Sequence, residues 1–246
     1  MTGDPTDKEF VMRDKNKMNS KTKYDKGYFN GKTSCYPLYG YTFDNEKRKF
    51  QNYLNKFIRY GCVSGKILDV GCAFGFFLKL CDELNIQTFG MDVSQYALEQ
   101  AKKYTKATLV CQSATDPWPF DNKFFDGVAL FDIIEHTNDS KSIIKEAYRT
   151  LNKNGVLYIT TPNKSKLRTV LNSLDKRYYG DVDATHINVQ NYKCWVSILK
   201  KECFEILDIK TRWLPVPFLP KPFDITFLPP FKKLGCESEI ICKKIG

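Results

Sequence analysis

The chain has 246 residues, a mass of 28.5 kDa and a formal net charge of +10. Hydrophobic residues make up 42% of it and aromatic residues 14%, which is enough for a sizeable core and excludes a wholly disordered chain. No run of 18 apolar residues occurs, so no transmembrane helix is expected. The N-terminus lacks the apolar stretch of a secretory signal, and the nine cysteines form no CxxC pair. Both features predict a cytoplasmic protein with free thiols.

The positive charge is compatible with a nucleic acid or a phosphorylated substrate as partner. The lysines are scattered along the chain, however, and form no basic stripe on a predicted helix. This distribution is typical of solvated surfaces, so a nucleic-acid partner is possible but not favoured.

The first part of the chain divides into a leader and an aromatic-rich entry. Residues 1–27 are polar and basic and are predicted to form a flexible leader, followed by a single domain over residues 28–246. Aromatic residues are dense between Tyr28 and Phe43, as in core cover or in a lid over a ligand. Asp44 is then predicted to cap a helix that runs to about Tyr60.

Short apolar runs alternate with helical patterns from Lys66 onwards. The predicted strands are Lys66–Val70, Gln87–Met91, Thr108–Cys111, Phe124–Phe131 and Val156–Thr160. The predicted helices between them are Phe76–Leu84, Ser94 to about Tyr104, and Asp139 or Ser140 to near Leu151. This alternation predicts an α/β fold with a doubly wound, mostly parallel sheet.

The last third of the chain is less regular. Helices are expected near Lys164–Leu174 and over Asn191–Glu202, with strands over Phe204–Trp213 and Glu239–Cys242. The segment 214–231 is rich in proline and aromatic residues, so it can be neither a regular helix nor a central strand.

The sharpest motif is Asp69-Val-Gly-Cys-Ala-Phe-Gly75, which lies between a predicted strand and a predicted helix. Gly71 and Gly75 allow the backbone to turn tightly and to approach a ligand closely. A carboxylate at Asp69 would repel a pyrophosphate and would suit a cationic ligand. Asp92, at the end of the next strand, can accept hydrogen bonds from both hydroxyls of a ribose. The pattern therefore indicates a nucleoside ligand with a cationic part.

These residues resemble a known enzyme family, the class I S-adenosylmethionine-dependent methyltransferases. Ile67–Leu78 and Gly90–Ser94 are similar to the first two motifs of the family, and the resemblance covers roughly Lys66–Asn163. The nearest group contains ubiquinone-type, small-molecule and sugar methyltransferases. The resemblance implies a seven-stranded Rossmann-like sheet with an N-terminal helical cap and C-terminal insertions. It also implies a cofactor-binding core over about 62–163 and substrate-side elements over about 164–246.

The resemblance further implies S-adenosyl-L-methionine as cofactor and a set of residues around it. Asp92 would bind the ribose, and the first loop would line the methionine part. The implied cofactor-binding residues are Asp69, Gly71, Cys72, Ala73, Gly75, Asp92, Val93, Ser113, Ala114 and Phe131. The implied substrate-side residues are Tyr39, Tyr41 and Asp132.

The chain contains only two histidines, and both are candidate catalytic residues. His136 follows the predicted fourth strand, and His186 lies in a later loop outside the core motifs. A loop imidazole at the carboxyl edge of the sheet could remove the proton of an acceptor hydroxyl, so His186 is the expected general base. The alternatives are packing for His136 and a structural hydrogen bond for His186.

The sequence leaves open whether the protein binds a metal ion. Asp132, Glu135 and His136 have D-x-x-E-H spacing, and with His186 they could bind Mg²⁺, Mn²⁺ or Fe²⁺. The pattern is similar to the E-x-x-E-H of small-RNA 3′-end methyltransferases. Aspartate in the first position is a shorter ligand than glutamate, and no RNA-binding module flanks the fold.

The expected function is methyl transfer from S-adenosylmethionine to an oxygen or nitrogen of a small molecule. A sugar or sugar nucleotide of glycan biosynthesis is the leading acceptor. Three alternatives stay open: a ubiquinone-like lipid or aromatic O-methyltransferase, a metal-dependent RNA methyltransferase, and a non-catalytic subunit that binds the cofactor.

Overall fold

The computed structural model describes most of the chain. The described residues are 23–31, 34, 40–61, 64–165, 183, 185–214, 223–227 and 235–246. The expected leader before residue 23, the predicted helix beyond residue 165 and the substrate-side candidate Tyr39 therefore lie outside the described residues.

A single mixed sheet carries the described part of the fold. Its eight strands are β1 (Lys66–Val70), β2 (Gln87–Asp92), β3 (Thr108–Cys111), β4 (Phe125–Phe131), β5 (Leu151–Pro162), β6 (Phe204–Leu214), β7 (Phe223–Phe227) and β8 (Glu237–Lys244). Their order across the sheet is β3-β2-β1-β4-β5-β8-β6-β7. The first five strands are parallel, and β8, β6 and β7 add antiparallel pairs. The predicted doubly wound, mostly parallel sheet is confirmed.

The sheet has one strand more than the expected seven. It is β7, which lies inside the proline-rich segment and pairs only with β6 at the edge of the sheet. An edge position is the place where a strand tolerates neighbouring prolines, because one of its sides needs no ladder partner.

Helices cover both faces of the sheet. They are α1 (Lys26–Phe29), α2 (Phe43–Arg59), α3 (Phe76–Asp82), α4 (Gln95–Ala101), α5 (Ser140–Thr150) and α6 (Tyr192–Lys201), with a 3₁₀ turn over Ile134–His136. Apolar side chains of α2, α3 and α4 form one core, and those of α5 and α6 form the other. The central strands β1 and β4 are buried almost throughout because both of their faces are covered.

The N-terminal cap differs from the sequence prediction in two places. Helix α2 is capped by Thr42, whose side chain accepts a 3.4 Å hydrogen bond from the backbone N–H of Asn45, and Asp44 falls inside the first turn. Threonine at this position has the extended backbone that a cap requires. The domain also begins before residue 28, since the Ser94 hydroxyl donates to the backbone carbonyl of Tyr24.

The strand order reverses direction next to β1, which pairs in parallel with β2 on one side and β4 on the other. The chain segments that leave β1 and β4 therefore diverge to opposite faces of the sheet. Such a crevice at the carboxyl ends of the strands is the usual ligand site of open α/β sheets.

Candidate active site

A cavity of about 490 Å³ opens at the carboxyl ends of β1, β2 and β4. The structure gathers nearly all sequence-predicted site residues around it. Those that line the cavity are Asp69, Gly71, Cys72, Ala73, Asp92, Val93, Ser113, Ala114, Phe131, Tyr41, Asp132, His136 and His186. Their individual roles stay predictions.

The loop after β1 is folded tightly against β2. The backbone N–H groups of Gly71 and Cys72 donate to the carbonyl of Met91 at 2.6 and 3.2 Å. Gly71 has a φ of 74°, and a Cβ built on it would lie 1.9 Å from Cδ1 of Ile133. Glycine is therefore required at position 71 both by the backbone conformation and by the space beside it.

Gly75 is the one described cofactor candidate that does not line the cavity. It caps α3 with a φ of 71°, and a Cβ on it would lie 2.9 Å from Cγ2 of Thr105 and 3.2 Å from Cβ of Ala101. Gly75 thus permits close packing of the loop against the end of α4, and its contact with the cofactor stays a prediction.

The Asp92 carboxylate fixes the geometry between the first two loops. Its Oδ2 accepts from the backbone N–H of Ala73 at 2.9 Å, and its Oδ1 accepts from that of Ser94 at 2.8 Å. Burial raises the pKa of this carboxyl, and the backbone hydrogen bonds partly oppose the rise. Each carboxylate oxygen keeps lone-pair capacity for a further donor such as a ribose hydroxyl.

A second buried acid lies beside it. Asp69, at 3% exposure, has its pKa raised well above the usual range by burial and then by the charge of Asp92. Two neighbouring carboxyls in a water-poor cavity both ionise readily only when a cation joins them. This end of the cavity is therefore suited to a positively charged ligand, as the sequence predicts.

The other end of the cavity contains Asp132, the first residue after β4. It has a left-handed backbone with a φ of 54°, and its Oδ1 accepts from the Thr160 hydroxyl at 3.2 Å. Lys49 of α2 lies 3.6 Å from its Oδ2. Both partners of that ion pair are partly exposed, so the pair orients Asp132 more than it stabilises the fold.

The two histidines form a pair at this end. Their ring centroids are 4.7 Å apart. Burial, followed by the proximity of His186, lowers the pKa of His136 to about 4, so its imidazole is neutral at neutral pH. A neutral imidazole can act as a hydrogen-bond partner, a base or a metal ligand.

Glu135 lies beneath the histidines and is fully buried. Its Oε2 accepts from the Thr161 hydroxyl at 3.0 Å, whereas Oε1 has no hydrogen-bond partner among the described residues. Burial and the neighbouring Asp132 raise the pKa of this carboxyl well above its usual range. The backbone N–H of Ile187 donates to the Glu135 carbonyl at 3.0 Å, which holds the His186 loop in place.

Glu135, His136 and His186 could hold a metal ion. Each offers one ligand atom, and these atoms lie within 4.8 Å of one another. Asp132 lines the same cavity but does not belong to this close group. The unpartnered Oε1 of Glu135 and two imidazoles are a donor set that suits a divalent transition metal.

Several lining residues were not predicted from the sequence. Tyr24 and Lys23 belong to the supposed leader, and Asp183 precedes His186 by three positions. The Tyr28 hydroxyl donates to Oδ2 of Asp183 at 3.1 Å, across 155 residues of sequence. The aromatic density from Tyr28 onwards was the sequence signal that pointed to a place for this part of the chain in the cavity wall.

The central part of the chain is similar to known proteins. Residues 68–159 match the family model described as a methyltransferase domain. This central segment, which is less than half of the chain, is thus similar to a methyltransferase domain. The resemblance predicted from the loop motif is thereby confirmed for this segment, and S-adenosylmethionine is the cofactor of such domains. Among the described helices, none combines the length and the apolarity needed to cross a membrane.

The curated relatives match about half of this chain or less. A ubiquinone biosynthesis O-methyltransferase of Pelagibacter ubique is 35% identical over 103 residues, which are 41% of this chain and 43% of the relative. The mitochondrial ubiquinone biosynthesis O-methyltransferase of Rattus norvegicus is 31% identical over 115 residues, 43% of this chain and 33% of the relative. The chain thus spans half or less of the length of the curated relatives it matches.

The similarity to solved structures extends over a larger part of the chain than the similarity to the curated relatives. A methyltransferase from Archaeoglobus fulgidus superposes with a TM-score of 0.62 at 21% identity, covering 82% of this chain and 95% of the other. The magnesium protoporphyrin IX methyltransferase of Synechocystis, solved with bound S-adenosylhomocysteine, gives 0.59 at 14% identity and covers 81% and 83%. At these identities the likeness establishes the fold alone.

Proposed function

We propose that this chain transfers a methyl group from S-adenosylmethionine to a hydroxyl oxygen of a small aromatic molecule. The observation that carries the proposal is one cavity with two chemically distinct ends. One end holds the neighbouring carboxyls of Asp69 and Asp92, whereas the other end holds the imidazoles of His136 and His186 together with further acids. A cationic nucleoside suits the first end, and a hydroxyl that must lose its proton suits the second.

The cavity walls favour an aromatic acceptor over the expected sugar. Six aromatic side chains line the cavity besides the histidines: Tyr24, Tyr28, Phe29, Tyr41, Phe50 and Phe131. Such walls stack on flat apolar ligands. The relatives named for ubiquinone biosynthesis agree with this alternative, and none of the relatives reported above is named for a sugar.

The chemistry follows from the position of these residues. S-adenosylmethionine supplies a methyl group on an electrophilic sulfonium. Asp92, which holds the loop of Ala73, would also hold the ribose, so the acceptor hydroxyl would have to be aligned only from the histidine end. His186 would take the hydroxyl proton as the oxygen–methyl bond forms and the carbon–sulfur bond breaks.

The test is turnover of the purified protein with a panel of acceptors. We expect S-adenosylhomocysteine to accumulate with a dihydroxylated aromatic acid and not with a sugar nucleotide, an amine or an RNA oligonucleotide. Accumulation with the sugar nucleotide alone would restore the sugar interpretation. Cofactor binding by calorimetry without turnover of any acceptor would instead identify a non-catalytic subunit.

A second candidate is metal-assisted methyl transfer, favoured by the unpartnered Oε1 of Glu135 beside two imidazoles. In that case the three residues would hold a divalent ion, which would lower the pKa of a bound acceptor hydroxyl. Titration of Mn²⁺ should then show one site that is lost in Glu135→Gln and retained in Glu99→Gln, a control on the exposed face of α4. Full turnover in EDTA would exclude this candidate.

A further inference from the structure

The hydroxyl of Thr185 bridges an acid and an imidazole at the acceptor end of the cavity. Its Oγ1 lies 2.7 Å from Nδ1 of His136 and 2.5 Å from Oδ1 of Asp183. Thr185 and Asp183 are 5% and 4% exposed, so these contacts are largely shielded from bulk water. The three side chains therefore form a short hydrogen-bonded chain that ends on the imidazole.

The chemistry of the three groups fixes the direction of each hydrogen bond. A carboxylate only accepts hydrogen bonds, and a hydroxyl has a single proton to donate. At 2.5 Å the Thr185 proton must point to Asp183, because otherwise two oxygen lone pairs would face each other. The Thr185 oxygen then accepts from His136, so the proton of the neutral ring resides on Nδ1.

We propose that Thr185 is a positioning residue which, together with Asp183, holds His136 in the Nδ1–H tautomer and leaves Nε2 as the nitrogen with the free lone pair. This inference rests on the proposed function for its catalytic meaning, because the His136 ring lies with its centroid 4.7 Å from that of His186, the proposed base, and then offers only Nε2 to a hydrogen-bond donor or a cation. The tautomer itself is a property of the protein without any ligand.

The Asp183 carboxylate is itself held in place by several further hydrogen bonds. Oδ1 of Asp183 also accepts from the backbone N–H of Thr185 at 2.8 Å, and Oδ2 accepts from the Tyr28 hydroxyl at 3.1 Å. The backbone N–H of His186 donates to the Asp183 carbonyl at 3.1 Å. With these donors in place the Asp183 carboxylate cannot rotate away from Thr185, so the imidazole keeps one partner.

Nitrogen NMR of the histidine rings tests the tautomer directly. Because the chain has two histidines, ring-labelled protein gives two patterns, and His186→Gln identifies that of His136. At neutral pH we expect the pattern of an Nδ1–H ring for His136. Thr185→Ser should retain it, whereas Thr185→Val, which has the same shape without the hydroxyl, should shift the ring toward Nε2–H.

A matched control is available on β2, away from the cavity lining. Thr88 is a buried threonine whose hydroxyl donates to Oδ1 of Asp82 at 2.5 Å, outside the cavity lining. Thr88→Val should leave the His136 pattern unchanged. If Thr185→Val does not fold, Asp183→Asn takes its place: its amide can donate to the hydroxyl oxygen, which turns the Thr185 proton toward the ring and lowers the Nδ1–H population.

The kinetic readout separates positioning from structure. Thr185→Val should lower kcat by about 10–100-fold at unchanged cofactor affinity, and Thr185→Ser should restore most of it. An Nε2–H pattern for His136 in the unmodified protein, or an Nδ1–H pattern that survives in Thr185→Val, would overturn the inference. An Nδ1–H pattern in a protein without methyl transfer would refute the proposed function and leave the assignment of the tautomer standing.

Discussion

The backbone N–H of Ala73 donates a 2.9 Å hydrogen bond to the carboxylate of Asp92, so the end of β2 holds the loop that follows β1. The other carboxylate oxygen is bound by the N–H of Ser94 at the start of α4. A single side chain thus sets the spacing of two loops and keeps lone pairs for a ligand. Loss of this carboxylate should affect the cofactor twice, through its direct contact and through the loop.

Asp92→Ala should weaken S-adenosylmethionine binding strongly. Each lost hydrogen bond to a charged group costs about 1.5–3 kcal/mol, which corresponds to roughly 10- to 150-fold in the dissociation constant. Isothermal titration calorimetry measures this directly. The exposed Asp121→Ala serves as a control and should bind normally. Unchanged affinity in Asp92→Ala would remove Asp92 from the ribose site.

Cofactor affinity should rise with pH because of Asp69. Its pKa is raised well above the usual value of about 3.9 by burial and by Asp92, so the empty site retains a proton there at pH values at which a free aspartate is ionised. A cationic ligand favours the ionised form, and its binding below the raised pKa must release that proton.

Calorimetry in two buffers of different protonation enthalpy measures the released proton. We expect a buffer-dependent heat of binding for the unmodified protein and a smaller dependence for Asp69→Asn, which carries no titrating carboxyl. Equal heats in both buffers for the unmodified protein would contradict the linkage.

Glu237 should make the ligand-free protein less stable as the pH rises. Burial, Asp132 and Glu239 raise the pKa of this carboxyl to about 7, whereas in the unfolded chain it ionises near pH 4.3. Between these values the folded protein binds the extra proton, so stability is lost as the pH rises through this window. The cost reaches at most roughly 4 kcal/mol above pH 7.

Glu237→Gln should therefore raise the melting temperature at pH 8 and have little effect at pH 4.5. The amide oxygen can still accept the 3.1 Å hydrogen bond from the Tyr53 hydroxyl, so the packing is preserved. Glu205→Gln changes an exposed carboxylate on the adjacent part of the sheet and should leave the pH profile intact. A profile of Glu237→Gln that parallels the unmodified protein would show that another group dominates.

His186→Ala should lower kcat by about 10²–10⁴, the usual contribution of a general base. The cofactor dissociation constant should stay within a factor of two or so, because the cofactor is predicted to bind at the end of the cavity that contains Asp69 and Asp92. Steady-state kinetics and calorimetry on the same preparation separate the two effects. Retained kcat would point to another base, and a large drop in melting temperature without cofactor would point to a structural role for the ring.

The cofactor end of the site was predictable because its signals are local. Strand β3 has the predicted bounds Thr108–Cys111, and Gly71 and Asp92 follow strands that short apolar runs already reveal. The placement of Gly75 was the exception. Its role depends on the contact with Thr105, which belongs to a neighbouring part of the chain and leaves no pattern near the glycine.

The acceptor end was less predictable because its contacts span the whole chain. Tyr24 lies in a polar segment whose composition predicts a flexible leader. Only its contacts with Ser94 and His136 show that it belongs to the cavity wall. Asp183 likewise becomes a site residue through Tyr28 and Thr185. Single-sequence patterns report helices, strands and turns, whereas these contacts depend on how distant elements pack.

The hydrogen bond from Tyr28 to Asp183 joins two segments that both lie outside the family match at 68–159. The segment that matches the methyltransferase domain contains Asp69 and Asp92, whereas Tyr28 and Asp183 come from the two flanks and complete the cavity wall near the histidines. Substitutions in the flanks can therefore change which molecule is methylated without disturbing Asp69 or Asp92. A library that randomises the flank residues of the cavity wall is therefore the natural starting point for changing the acceptor.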